Sequence, residues 1–175
     1  SFAHVGKVLM SPLFPSKPEK LFENLPFPER LALWSARLWV DGLQSGCSIS
    51  EQLQDAYRLA RVDDAYLDLD AMMTIVAISS SGPIDIRCEQ CASISDDEQI
   101  FLRWLAISQS GFPNLTDDVL FQGWMPLEAV NATKPHLSQF TLKLQKAGLL
   151  FMFGSETDIP RYSRRQLAAP DPVNA

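Results

Sequence analysis

The chain has 175 residues, of which 46% are hydrophobic and 10% aromatic, so we expect one domain with a substantial core. Its formal net charge of -6 argues against a general affinity for nucleic acids. No apolar run approaches the roughly 20 residues that cross a bilayer, which argues against a membrane protein. The N-terminal stretch lacks the order of a signal peptide, and three cysteines are an odd number. We therefore expect reduced thiols and a cytoplasmic location.

The N-terminal segment, residues 1–26, is predicted to be an extended arm. It carries prolines at positions 12, 15, 18 and 26, which is too many for a helix. Pro28 then suits the first turn of a helix. Leu31, Trp34 and Leu38 recur at helical spacing and predict the face that this first helix turns to the core.

Start and stop signals predict the next two helices. Gly46 suits the end of the first helix, and Ser48 with Glu51 forms an S-x-x-E capping box for the second. Asp63 and Asp64 suit the positive end of a third helix dipole. A wide apolar stripe predicts that this third helix lies at the centre of the bundle; it comprises Leu69, Met72, Met73, Ile75, Val76 and Ile78.

The helical pattern is interrupted after residue 79. Three serines followed by Gly82 and Pro83 predict a loop, and Ile84 to Arg87 alternate apolar and polar residues like a very short strand. Ser95 and Glu98 then repeat the capping box and predict the start of a fourth helix.

Two more helices are predicted in the C-terminal half, in "LTDDVLFQGW" and in "KPHLSQFTLKLQKAG". Gly148 suits a left-handed stop, with Leu149 folding back towards Leu144. Residues 154–175 are expected to form a flexible basic tail. The sequence thus predicts an all-α, single-domain bundle of about six helices over residues 27–153.

Cys88 and Cys91 have the C-x-x-C spacing of redox and metal sites. A redox pair needs a stabilised thiolate, yet Asp96, Asp97 and Glu98 follow closely and disfavour negative charge on sulfur. No βαβ pattern of the thioredoxin kind surrounds the motif. We therefore expect two partly buried cysteines that pack as small apolar residues.

A structural zinc site is the alternative interpretation of the two cysteines. Such a site needs four ligands, and the candidates to join Cys88 and Cys91 are Cys47, His136 and His4, each distant in the sequence. A second C-x-x-C motif is missing. No other cofactor is predicted.

Two resemblances concern the C-terminal half. "CEQCASISDDEQIFLRWLAISQSG" with "LSQFTLKLQKAGLLF" resembles a family of small helical bacterial proteins with no assigned function, which implies an independent helical domain. "LSQFTLKLQKAGLL" followed by "RYSRR" resembles the recognition helix and wing of winged-helix regulators. That second resemblance implies phosphate contacts by Lys143, Lys146, Arg161, Arg164 and Arg165.

No arrangement of residues predicts catalysis. The two histidines are far apart, and a glycine-rich phosphate loop is absent. We therefore expect a non-catalytic regulatory or protein-interaction module, which binds a protein partner or itself and has no identifiable small-molecule substrate. Trp39, off the main stripe of its helix, and Trp124, beside Pro126, are candidate contact residues.

Overall fold

The computed structural model describes residues 18–111 and 121–152. Within these ranges the chain forms a short 3-10 helix, Phe22–Asn24, and five α-helices. The α-helices are α1 (Phe27–Ser45), α2 (Ser50–Leu59), α3 (Ala65–Ser79), α4 (Asp96–Ser110) and α5 (Leu127–Lys146). The same ranges contain no β-strand, only an isolated antiparallel bridge between Leu21 and Ser93. The predicted all-α class is confirmed.

Several predicted features lie outside the described residues. These are residues 1–17 of the proline-rich arm, the whole tail 154–175 and most of the helix predicted in "LTDDVLFQGW". A count of six helices and an extended arm therefore stay predictions.

The predicted helix boundaries are confirmed at several positions. Gly46 ends α1 in the left-handed conformation, with φ 68°, and Asp64 precedes α3. Ser95 and Glu98 form a complete capping box at α4. At the end of α5, Gly148 has φ 80° and donates to the carbonyl of Gln145 at 2.9 Å. Leu149 donates to the carbonyl of Leu144 at 2.9 Å, which completes a Schellman motif.

The capping box predicted at Ser48 and Glu51 is wrong. Helix α2 begins at Ser50, and Ile49, the residue before it, makes no side-chain cap hydrogen bond. Ile49 packs tightly over Gly42 of α1, where a Cβ atom would lie 2.7 Å from the Ile49 side chain. This packing fixes the chain just before α2 and shifts the helix start past Ser48.

Helix α5 is longer than predicted, because it begins directly after Pro126 and continues through Pro135. A proline inside a helix removes one hydrogen bond to the carbonyl four residues earlier. That carbonyl belongs to Asn131, which is exposed and can bond to water instead. The interior proline is therefore tolerated, and α5 reaches 20 residues.

The core lies where α3 and α4 pack against α5, and α3 also contacts α1 and α2. Helix α3 is thus central through Leu69, Met72 and Met73, whereas Ile78 of its predicted apolar stripe is 79% exposed. The large side chains of the core that are fully or almost fully buried include Leu33, Leu53, Leu69, Met72, Leu102, Leu105, Phe140 and Leu144. Among the described residues, no helix combines the length and the apolar character that crossing a bilayer requires.

Candidate functional site

Cys88 and Cys91 are joined by a disulfide, with their Cα atoms 5.4 Å apart. The expectation of reduced thiols is therefore wrong for this pair. Cys88 is exposed and Cys91 is half-buried, so the pair does not pack as two small apolar residues in the core either. The disulfide lies in an irregular segment, residues 84–94, which we call the cysteine loop.

The start of the cysteine loop is not the short strand that was predicted. The amide of Asp85 donates to Oδ2 of Asp97 at 2.7 Å, and the amide of Arg87 donates to Oε1 of Glu98 at 2.9 Å. Both acceptors lie in the first turn of α4. The two amides therefore bond to carboxylates of α4 and not to a neighbouring strand. The same carboxylates are hydrogen-bonded, which weakens their repulsion of a nearby thiolate.

Arg37 and Glu98 form the ion pair on which the cysteine loop rests. Nε of Arg37 lies 2.8 Å from Oε1 of Glu98, and Nη2 lies 2.9 Å from Oε2, so the contact is bidentate. Both side chains are fully buried. Glu98 also accepts from the amide of Ser95 at 3.0 Å, so its charge is satisfied by hydrogen bonds from several directions.

The same arginine binds the backbone of the cysteine loop. Nη1 of Arg37 donates to the carbonyl of Cys91 at 2.7 Å, and Nη2 donates to the carbonyl of Ser93 at 2.9 Å. The guanidinium also lies 5.1 Å from the centre of the Phe22 ring, within cation–π range. One planar cation thereby joins α1, α4, the loop and the segment before α1, which a lysine could not do.

Hydrogen bonds join the cysteine loop to α1 and to the segment before α1. Nε1 of Trp34 donates to Oε1 of Glu89 at 3.0 Å, which ties one of the two residues between the cysteines to α1. On the other side, the amide of Phe22 donates to the carbonyl of Ala92 at 2.8 Å. The amide of Ile94 donates to the carbonyl of Lys20 at 2.9 Å. The loop is thus fixed along its whole length.

The residues proposed as zinc ligands are not gathered into one site. Cys88 and Cys91 are bonded to each other, Cys47 is a free and exposed thiol, and His136 is half-buried on α5. Within residues 18–111 and 121–152, no three His, Cys, Asp or Glu side chains form a group that could hold a metal ion.

The residues proposed to contact nucleic acid are only partly available for it. Nζ of Lys143 binds Oδ2 of Asp68 at 2.7 Å and Oδ2 of Asp64 at 3.2 Å. The hydrogen bond to Asp68 raises the pKa of Lys143. Lys146 is exposed beside it, whereas Arg161, Arg164 and Arg165 lie outside the described residues.

The two candidate contact tryptophans have different environments. Trp124 is only 6% exposed, makes an edge-to-face contact with Phe121 and donates from Nε1 to Asp97 at 3.2 Å. It is therefore a core residue and not a contact residue. Trp39 is half-buried and donates from Nε1 to Asp70 at 2.8 Å, which joins α1 to α3.

Arg37 is the residue that the sequence analysis missed. A signal for it exists, because Arg37 lies four residues after Leu33 and directly before Leu38, on the buried face of α1. A charged residue in such a position needs an opposite charge in the core. The sequence offers many carboxylates and does not show which one that is.

No protein-family model, curated protein or solved structure matches the chain.

Proposed function

We propose that the protein is a non-catalytic helical module that binds another protein, or a second copy of itself, through the C-terminal half of α3. The observation that carries this proposal is the composition of residues 71–78, which are all apolar except Thr74. Only Met72 and Met73 of this run are buried. The remaining apolar side chains are partly or largely in contact with solvent.

A helix that is apolar on every side normally lies inside a protein or a membrane. Here Ile75 and Val76 are half-buried, Ala77 is exposed, and Ile78 is 79% exposed. Ile75 and Val76 pack partly against the core, so the exposed apolar area consists of Ala77, Ile78 and the outer edges of Ile75 and Val76. Exposed apolar patches are typical of contact surfaces. We name Ile75 to Ile78 the α3 surface and infer that a partner covers it.

The two other functions considered from the sequence have less support. A zinc protein would need the thiols of Cys88 and Cys91, which are joined to each other. A winged-helix regulator would use Lys143 for phosphate, yet this side chain already binds two carboxylates of α3. Both stay alternatives, and metal analysis and salt-dependent binding to duplex DNA test them.

The experiment compares Ile78→Glu with Leu59→Glu. Leu59 is a matched control, because it is also a large apolar residue on a helix and is 86% exposed, but it lies on α2. Sedimentation measures self-association, and affinity capture with quantitative mass spectrometry measures binding to other proteins. Circular dichroism checks that both variants stay folded.

The proposal predicts that self-association, or a defined set of captured proteins, is lost in Ile78→Glu and kept in Leu59→Glu. If both variants associate with the same proteins as the unchanged chain, the α3 surface is not the contact surface. If the unchanged chain is monomeric and captures nothing above a control protein, the interaction function itself is wrong.

A further inference from the structure

The Cys88–Cys91 disulfide closes a very small ring, with two residues between the cysteines. A disulfide stabilises a fold mainly by limiting the unfolded chain, and this effect grows with the length of the loop that it closes. A ring this short lies at the lower end of that range. The disulfide therefore contributes little that would explain it as a structural cross-link.

The cysteine loop also does not depend on the disulfide for its position. Arg37 holds the carbonyls of Cys91 and Ser93, and Trp34 holds the side chain of Glu89. Glu98 holds the amide of Arg87 on the other side of the ring. These contacts lie before, within and after the C-x-x-C motif, and none of them uses a sulfur atom. We therefore expect the loop to keep its place when the disulfide is broken.

The two cysteines differ in their exposure to solvent. Cys88 is exposed, as are Glu89 and Gln90 after it, whereas Cys91 is half-buried. Thiol–disulfide exchange requires an incoming thiolate to approach one sulfur of the disulfide, so access decides which sulfur is attacked. Cys88 is the more exposed residue of this disulfide, which favours attack on its sulfur.

The carboxylates that follow the motif oppose a thiolate less strongly in the fold than the sequence alone suggests. Two of the three carboxylates that follow the motif are already bound by donors. Asp97 accepts from the amide of Asp85, and Glu98 is paired with the Arg37 guanidinium. The guanidinium also donates to the Cys91 carbonyl, so the buried pair of Arg37 and Glu98 adds no net negative charge beside the thiol that reduction would release.

We propose that Cys88 and Cys91 are a reversible dithiol–disulfide pair that reacts with small thiols of the glutathione type. A thiolate RS⁻ attacks Sγ of Cys88; the Cys88–Cys91 bond breaks, a mixed disulfide forms, and Cys91 leaves as a thiolate. A second RS⁻ attacks the sulfur of the bound R group, which releases RSSR and leaves Cys88 as a thiolate. Two electrons enter the protein, two molecules of the thiol are oxidised, and both cysteines take up protons from water.

The experiment uses the full chain with Cys47→Ser, so that the free exposed cysteine does not react. The protein is equilibrated with defined ratios of reduced and oxidised glutathione, and its free thiols are then alkylated with iodoacetamide. Mass spectrometry counts the labels on each chain. We expect no label on the oxidised protein, two labels after reduction, and a reversible transition between these states. The circular dichroism spectrum should be the same at both ends of the transition.

Single-cysteine variants test the direction of attack. In Cys91→Ser, Cys88 should form a mixed disulfide with oxidised glutathione about tenfold faster than Cys91 does in Cys88→Ser, because of its greater access to solvent. The two variants are matched, since each leaves one thiol in the same loop. Alanine replacements at the same positions serve if a serine variant does not fold.

Three results would overturn the proposal. The first is full labelling of both cysteines in fully oxidised glutathione, which would mean that no disulfide forms. The second is loss of helical structure on reduction, which would make the disulfide a structural cross-link. The third is equal reaction rates of the two single-cysteine variants, which would exclude directed attack on Cys88.

Discussion

Arg37 of α1 and Glu98 of α4 meet as a bidentate ion pair in the protein interior, although 61 residues separate them in the chain. Glu98 is at the same time the N3 residue of α4 and closes the capping box that begins at Ser95. A local signal for a helix start and a long-range contact therefore share one carboxylate. Helix α4, helix α1 and the cysteine loop meet at this point.

Removing the arginine should destabilise the fold strongly. In Arg37→Met the carboxylate of Glu98 stays buried without its cation, and a broken buried ion pair costs about 3 to 5 kcal/mol of unfolding free energy. Arg58→Met is the control, because Arg58 is 67% exposed and its contact with Asp55 should contribute less than about 1 kcal/mol. Urea unfolding of both variants measures the difference, and equal losses would contradict the role assigned to Arg37.

Replacing Ser95, the cap residue of α4, should lower the unfolding free energy more than replacing Ser48, which only resembles a cap residue. Ser95 accepts from the amide of Glu98 at 3.0 Å and donates to the carbonyl of Asp85. We expect Ser95→Ala to lower the unfolding free energy by about 1 to 2 kcal/mol. Ser48→Ala should change it by less than about 0.5 kcal/mol, because Ser48 lies outside α2. Thermal unfolding checks both values. A large loss of stability in Ser48→Ala would contradict the absence of a cap role for Ser48.

Tyr57 should make the protein sensitive to alkaline pH. Its side chain is fully buried and donates to Oγ of Ser35 at 3.0 Å, and burial raises the pKa of Tyr57 above its ordinary value. The unfolded chain therefore loses this proton first, once the pH passes about 10. Because the folded chain then binds more protons, the free energy of unfolding falls as the pH rises, by about 1.4 kcal/mol per pH unit.

The variant Tyr57→Phe isolates this effect. At neutral pH it should lower the unfolding free energy by about 1 kcal/mol, the usual net contribution of one hydrogen bond. Above pH 10 its stability should fall less steeply than that of the unchanged chain. Lys143 adds a separate alkaline loss in both proteins, because the pKa of Lys143 is also raised in the fold. Parallel curves for the two proteins would contradict the assignment to Tyr57.

Gln109 should hold the segment that follows α5. Its Nε2 donates to the carbonyls of Thr141 and Leu149 at 3.1 and 2.9 Å, and its Oε1 accepts from the amide of Phe151 at 2.8 Å. In Gln109→Leu we expect amide hydrogen exchange at Phe151 to accelerate by at least about tenfold, since that amide loses its acceptor. Gln145→Leu, at an exposed position of α5, should leave the exchange rate unchanged. Nuclear magnetic resonance measures both rates.

The sequence alone predicted those features that depend on neighbouring residues. The S-x-x-E capping box at Ser95 and the left-handed glycines at positions 46 and 148 were found because each signal lies within a few residues of the helix end that it forms. The all-α class and the buried part of the α3 stripe, Leu69, Met72 and Met73, follow from helical periodicity in the same way. Ile78, the last residue of that predicted stripe, is 79% exposed.

Only the tertiary structure decided how the cysteine loop and its surroundings are arranged. The strand predicted at Ile84 to Arg87 does not form, because the amides of Asp85 and Arg87 bond to carboxylates of α4. The acidic residues after Cys91 argue against a thiolate in the sequence, yet in the fold Glu98 is paired with Arg37, far away in the chain. Burial and charge pairing depend on which helices pack together, and that information is spread over the whole chain rather than carried by any one motif.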